Sequence, residues 1–173
     1  MVKKIKPLQV LSVASEMYPF IKTGGLADVV GALPFALGEL NVSVTTLIPG
    51  YLVVLAELTE PVTVLDLPNY FGGAARILRG TAAGGDLLVL DAPHLFSRAG
   101  NPYADASGND WQDNPERFAA LSLAAAMVGW GALKGYLPDV VHAHDWQTAL
   151  TPAYLHYLCT GKHQPPTVLT IHN

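Results

Sequence analysis

The chain begins with an apolar strand, a glycine loop, an apolar helix and a second strand. This order constrains the fold more than any other feature of the sequence. Residues 9–14 are apolar, and residues 26–40 are apolar enough for a buried helix, which Pro34 is expected to kink or divide. Residues 41–48 are rich in β-branched side chains and precede Pro49-Gly50, a sequence that favours a strand ending in a turn. This order predicts a parallel sheet with a right-handed crossover.

The rest of the chain supplies further strands and helices. Gly72-Gly73 and Gly84-Gly85 separate three short strand candidates, and this spacing predicts β-hairpins. Helices are expected over about 114–130 and over 146–158, where Pro152 is expected to make a kink. The strand candidates are residues 62–67, 74–79, 87–90, 140–144 and 167–171. With 173 residues, the chain is predicted to form a single α/β domain, a mostly parallel sheet with helices on both faces and a β-hairpin insertion in the middle.

The loop before the first helix has the composition of an anion site. It carries Lys22 and the adjacent Gly24 and Gly25. Glycines let backbone approach a ligand closely, and the first N–H groups of a helix have no intrahelical partner. The helix dipole also favours negative charge there. The loop therefore predicts a cradle for a phosphorylated ligand, although it matches neither the P-loop nor the dinucleotide-binding pattern. The alternative is an ordinary glycine turn beside a surface lysine.

Polar side chains follow four of the predicted strands where each strand ends. They are Ser15-Glu16, Asp91, residues 142–145 and His172-Asn173. Ligands of open α/β sheets bind at the carboxyl ends of strands, so these groups are expected beside the Lys22 loop. Asp91 is expected to lie apart if its strand is antiparallel. His172 is a catalytic candidate by its position rather than by any motif.

Two histidines on one strand also allow a metal hypothesis. His142 and His144 share one face of their strand, and zinc accepts histidine ligands. With His172 as a third ligand, they would make a small metal-dependent hydrolase. The alternative is that one of the two is a buried structural histidine and that Asp145 caps the helix beginning at Trp146. We favour this alternative and expect no metal.

Composition argues against several classes of function. The net charge is −4 and no basic stripe is present, so a nucleic acid partner is not expected. No stretch approaches the roughly 18 apolar residues of a membrane span. The single cysteine, Cys159, suits a reducing cytoplasm. Charged residues make up 14% of the chain, against about 25% in a typical domain. This deficit fits either an alanine- and glycine-rich soluble protein or a surface that meets a second domain.

Short runs along nearly the whole chain match one known family, in the family's order. The most specific are residues 22–30 (KTGGLADVV), 138–146 (PDVVHAHDW) and 170–173 (TIHN). The others are residues 10–16, 47–51, 90–93, 102–103, 113–114 and 117–119, with Pro19. On these runs the chain resembles the N-terminal domain of bacterial glycogen synthases of the ADP-glucose type, which are related to plant starch synthases.

The resemblance implies the GT-B architecture, in which two Rossmann-like domains face each other across a cleft. It also implies transfer of glucose from ADP-glucose to the non-reducing end of an α-1,4-glucan, with retention of anomeric configuration and no cofactor. The catalytic residues implied are His172, beside the reacting glucose, and Asp145. The substrate-binding residues implied are Lys22, Gly24, Gly25, Asp28 and Tyr103. Lys22 and the two glycines would lie near the diphosphate.

The end of the chain bears on its domain organisation. Residue 173 comes just past the last predicted strand, so the chain is expected to be a piece of a larger protein. Residues 1–173 would be the acceptor-side Rossmann-like domain, and the C-terminal nucleotide-binding domain would be absent. This chain alone is therefore expected to be inactive. A stand-alone, non-catalytic carbohydrate- or nucleotide-binding module is the alternative, and the choice between ADP- and UDP-glucose stays open.

Overall fold

The fold is built on one seven-stranded sheet with the strand order β3-β4-β5-β2-β1-β6-β7. The computed structural model describes residues 6–161 and 163–172; Asn173, named above as a strand-end group, lies outside them. The strands are β1 (Leu8–Val13), β2 (Val42–Pro49), β3 (Thr59–Tyr70), β4 (Gly73–Ala82), β5 (Gly85–Asp91), β6 (Val140–His144) and β7 (Thr167–Thr170). The helices are α1 (Gly25–Gly38), α2 (Leu52–Glu57), α3 (Pro93–Phe96), α4 (Asn114–Gly129) and α5 (Thr151–Leu158).

Five of the strands are parallel, and the other two form a hairpin at one edge of the sheet. Strands β5, β2, β1, β6 and β7 pair in parallel, whereas β3 and β4 pair antiparallel. Phe71 and Gly72 turn the first hairpin, and Ala83 and Gly84 turn the second, all four with positive φ as in type I′ turns. The predicted mostly parallel sheet with a hairpin insertion is confirmed.

The crossovers between the parallel strands run in two directions along the sheet, and this determines on which face each helix lies. The crossover from β1 to β2 runs through α1 toward the hairpin edge. The crossovers through α4 and α5 run the opposite way, to β6 and then β7. Right-handed crossovers in opposite directions place α1 on one face of the sheet and α4 and α5 on the other. Helices on both faces are therefore confirmed, and the switch point lies between β1 and β6.

Helix α4 packs against the sheet and α5 and is nearly enclosed. Eleven of its sixteen residues are buried, which accounts for its almost uninterrupted apolar sequence. Ala120, Ala124 and Ala125 are fully buried and let the helix approach its neighbours closely. None of the helices in the described ranges has the length and apolar content that a membrane crossing requires.

Two helix predictions concern proline, and the second of them needs correction. Pro34 lies inside α1, which is one undivided helix, and the kink expected at Pro34 stays a prediction. The single helix expected over 146–158 is instead a 3₁₀ turn over Trp146–Thr148 followed by α5. Pro152 lies in the first turn of α5. There the missing N–H of proline has no helical partner to lose, so Pro152 helps to begin α5 rather than kinking a longer helix.

Candidate functional site

A cleft of about 490 Å³ lies at the carboxyl ends of β1, β6 and β7, beside the switch point. It is lined by Glu16, Thr23, Gly24, Gly25, Leu26, Val29, Tyr103, Asp145, Gln147, Ile171 and His172. Five of the seven predicted site residues are therefore brought together: Gly24, Gly25, Tyr103, Asp145 and His172. Their roles toward a ligand stay predictions.

The other two predicted residues, Lys22 and Asp28, lie next to the cleft and contact each other. The Lys22 ammonium donates to both carboxylate oxygens of Asp28, at 2.8 and 2.7 Å. Both side chains are about half exposed. An ion pair this exposed is worth only about 0–1 kcal/mol, so a ligand can separate it at little cost. Thr23, which follows Lys22, lines the same cleft as His172.

The glycine loop leads into an uncapped helix start. Gly24 is the N-cap residue of α1, and no side chain caps the first turn. A Cβ atom built on Gly24 or Gly25 would have no heavy atom within 4 Å. The packing of the described residues therefore does not require glycine at either position. At these two positions only backbone lines the cleft, so a ligand can approach the first N–H groups of α1 closely.

Glu16 lies beside the Lys22 loop, as the strand-end pattern predicts, although the sequence assigned it no role of its own. It is 2% exposed. Its carboxylate accepts bonds from the backbone N–H of Thr23, from the Thr23 hydroxyl at 2.9 Å and from the Tyr103 hydroxyl at 2.8 Å. It thereby holds the glycine loop and the long loop between α3 and α4 together. The sequence does show an acidic residue at the end of an apolar strand. It does not show which residues this carboxylate bonds to, because Tyr103 is distant from Glu16 along the chain.

Tyr103 lines the cleft, and its hydroxyl is already engaged by neighbouring side chains. The hydroxyl is bonded to Ser15, at 2.8 Å, and to Glu16. Burial is the main cause that raises the pKa of Tyr103 above its usual value, so the phenol stays protonated. The ring centroid lies 5.8 Å from that of Phe118 and 6.3 Å from that of Trp146. Tyr103 is therefore suited to apolar contact with a ligand.

Asp145 has a strained backbone at the mouth of the cleft. Its φ is 61° and its ψ is −174°, a region that residues other than glycine seldom occupy. The neighbouring groups hold it there: its N–H donates to Thr170 O at 2.8 Å, and its side chain accepts from Trp146 N–H at 2.9 Å. The predicted capping by Asp145 is confirmed for the 3₁₀ turn. Strain of this kind, of about 1–3 kcal/mol, clusters at functional sites.

Three histidine rings stand in a row beside the cleft. The ring centroids of His142 and His144 are 4.0 Å apart, and those of His144 and His172 are 5.3 Å apart. His144 is completely buried. Burial, and to a lesser degree the nearby His142 and His172, lowers the pKa of His144 to about 3, so this ring is neutral at pH 7. Burial, followed by the proximity of His172, also lowers the pKa of His142.

These histidines bond to one another and to hydroxyls instead of converging on one point. His144 Nδ1 lies 3.0 Å from His172 Nε2, and His142 Nε2 lies 2.7 Å from the Thr170 hydroxyl. Within residues 6–161 and 163–172, no group of three or more histidine, cysteine, aspartate or glutamate side chains is arranged to hold a metal ion.

The fold and the cleft together define a doubly wound α/β domain with a cleft at the switch point of the sheet, which is where domains of this class bind their ligands. The family model described as starch synthase catalytic domain matches residues 9–173. The chain therefore belongs to the starch synthase catalytic domain family.

Curated relatives and a solved structure agree with this assignment. The chain is 55% identical over 166 residues to a glycogen synthase of Methylocella silvestris and 57% identical over 166 residues to one of Rhodopseudomonas palustris. Each match covers 96% of this chain and 34% of the relative, so the chain spans about a third of their length. The catalytic domain of starch synthase IV from Arabidopsis thaliana, solved bound to ADP and acarbose, matches with a TM-score of 0.77 and 29% identity. That match covers 96% of this chain and 34% of the plant chain.

Proposed function

We propose that this chain is the acceptor-side domain of a retaining glucosyltransferase that moves glucose from ADP-glucose to the non-reducing end of an α-1,4-glucan. The observation that carries the proposal is the cleft at the switch point, where a glycine loop, an uncapped helix start, Asp145 and His172 meet. The glycogen synthase names of the relatives support the reaction. The ADP and acarbose in the plant structure support the nucleotide sugar and the glucan as ligands.

The residues of the cleft suit the departure of a nucleoside diphosphate from glucose. Lys22 and the first N–H groups of α1 would stabilise negative charge on the leaving diphosphate. Asp145 and His172 would lie beside the glucose, where positive charge develops on the sugar. Tyr103 would contact the glucose or the acceptor with its ring, because its hydroxyl is already bonded. Neither the proposed chemistry nor the donor atoms of the cleft call for a metal.

The glycine at position 25 offers a test of close ligand approach. We expect Gly25→Ala to leave the stability of the chain nearly unchanged, because the added Cβ would have no atom within 4 Å. We expect the same change to raise the KM for ADP-glucose in the full-length protein, because the methyl group would occupy space that the diphosphate uses. Urea unfolding and steady-state kinetics provide the two measurements. Gly38→Ala, at the other end of α1 and also without a Cβ contact, is the matched control. Unaltered kinetics for Gly25→Ala would contradict the proposed diphosphate position.

The proposal includes a second domain of the GT-B type and a cytoplasmic setting. The relatives are about three times as long as this chain, which supports a further domain that completes the cleft. The second domain would supply most of the nucleotide pocket. The absence of a disulfide partner for the buried Cys159 within the chain fits a reducing compartment.

The decisive experiment measures glucose transfer to glycogen by a full-length protein that contains this chain, with ADP-glucose and UDP-glucose supplied separately. We expect transfer with ADP-glucose, and we expect the 173-residue chain alone to give none under the same conditions. Transfer by this chain alone would contradict the need for a second domain. Absence of transfer from either donor by the full-length protein would favour a non-catalytic binding module, which equilibrium binding of ADP-glucose and of maltooligosaccharides would then test.

A further inference from the structure

A chain of hydrogen bonds leads from the core of the sheet to the cleft. The Ser12 hydroxyl oxygen lies 3.2 Å from Nε2 of His144, and Nδ1 of His144 lies 3.0 Å from Nε2 of His172. Ser12 and His144 are buried, whereas His172 lines the cleft. We propose that His144 is a positioning residue that fixes the ring orientation and the tautomer of His172. Its importance for catalysis rests on the function proposed above, but its effect on the His172 ring does not.

The chemistry of neutral imidazole ties the two rings together. A neutral histidine has one N–H donor and one acceptor nitrogen. When Nε2 of His144 donates to Ser12, its Nδ1 accepts from Nε2–H of His172, and Nδ1 of His172 is left as an acceptor. When the Ser12 hydroxyl donates instead, Nδ1–H of His144 donates to His172, and Nδ1 of His172 carries the proton. Each arrangement allows His172 only one neutral tautomer.

The environment of His144 supports this role over that of a core filler. The ring is completely buried, and both of its nitrogens have a partner. Burial keeps it neutral at pH 7, so it cannot donate from both nitrogens at once. His142 provides the contrast, because its ring stacks on His144 yet bonds to Thr170 and not to His172.

The first test reads the His172 ring directly in this chain. Long-range proton–nitrogen NMR spectra at pH 7 distinguish the two neutral tautomers of each histidine. We expect one tautomer of His172 in the unsubstituted chain and a mixture of both in His144→Leu, which fills the space without a ring nitrogen. His144→Asn, which keeps a polar atom near the position of Nδ1, is expected to restore one form. His142→Asn is the matched control and is expected to leave the His172 signals in place. An unchanged His172 pattern in His144→Leu overturns the proposal.

A second variant decides the question if His144→Leu does not fold. Ser12→Ala removes the far end of the hydrogen-bond chain and leaves both histidines in place. We expect the ring nitrogen signals of His144 and His172 to shift together in this variant. A shift confined to His144 overturns the proposal, because it would show that the two rings are independent.

The consequence for catalysis is measured in the full-length protein. We expect His144→Leu to lower kcat by about 10- to 100-fold, by analogy with the range found when the partner that orients a metal-bound histidine is lost, with partial recovery in His144→Asn. The KM for ADP-glucose is expected to change little, because His144 itself lies behind the cleft. The proposal is overturned if His144→Leu keeps the kcat of the unsubstituted protein while His172→Ala has a lower kcat. If the unsubstituted protein transfers no glucose, the proposed function fails while the NMR result still decides the role of His144.

Discussion

Replacement of Lys22 by alanine is expected to lower kcat/KM for ADP-glucose by about 100- to 1,000-fold in the full-length protein. The size of the effect follows from the loss of one charged group beside a leaving group that develops negative charge, for which such factors are typical. The Lys22 ammonium lies 2.7 Å from Asp28 in the first turns of α1, and a diphosphate in the cleft would draw it from this half-exposed pair. Steady-state kinetics with ADP-glucose and a glycogen primer provide the measurement.

The loss of activity is expected without loss of stability. The Lys22–Asp28 pair is about half exposed, and pairs of this kind contribute only about 0–1 kcal/mol. Urea unfolding of the Lys22→Ala chain is therefore expected to be close to that of the unsubstituted chain. Lys134→Ala removes an exposed lysine that does not line the cleft and is the matched control. Equal kinetics for the two variants would contradict the role proposed for Lys22.

The largest effect on stability is expected at Arg117, which is 1% exposed. Its guanidinium donates to Leu95 O at 2.8 Å, to Pro102 O at 2.8 Å and to the Asn114 side-chain oxygen at 2.7 Å. Methionine would keep much of the packing but leave these three acceptors unpaired. Each buried unpaired acceptor costs about 1–3 kcal/mol, so Arg117→Met is expected to lower the free energy of unfolding by at least about 3 kcal/mol. Urea unfolding of this chain measures the difference.

A surface arginine serves as the control for Arg117. Arg79 pairs with Asp86 at 2.7 Å, and both side chains are partly exposed, at 40% and 33%. We expect Arg79→Met to cost less than about 1 kcal/mol. Similar losses of unfolding free energy in the two variants would show that the hydrogen bonds of Arg117 contribute little to the stability of the chain. Because Pro102 precedes Tyr103, the Arg117 variant is also expected to disorder one wall of the cleft.

The sheet was predictable because its signals are local. Apolar, β-branched runs bounded by proline or glycine marked the parallel strands, and the glycine pairs at 72–73 and 84–85 marked the hairpins. Residues with positive φ do occupy both turns. The pairing of β5 was less accessible, since this strand is antiparallel to β4 on one side and parallel to β2 on the other. Asp91 therefore ends a parallel strand, but it bonds to Arg76 at 2.8 Å and does not line the cleft.

The candidate site was only partly accessible from the sequence. Gly24, Asp145 and His172 could be chosen because each adjoins the end of a strand or the start of a helix. The bonds of Glu16 to Tyr103 and of His144 to His172 join residues 87 and 28 positions apart. Such contacts depend on how strands are ordered in the sheet, which local patterns do not encode. The positive φ of Asp145 likewise comes from partners on β7 and in the following turn.

The carboxylate of Glu16 has a mechanical consequence for the cleft. Since one side chain accepts from both Thr23 and Tyr103, the two segments that carry them share a single anchor on the end of β1. Neither segment can shift away from the sheet without breaking bonds at that anchor. A displacement of either segment would therefore change the hydrogen bonds that Glu16 makes to the other segment.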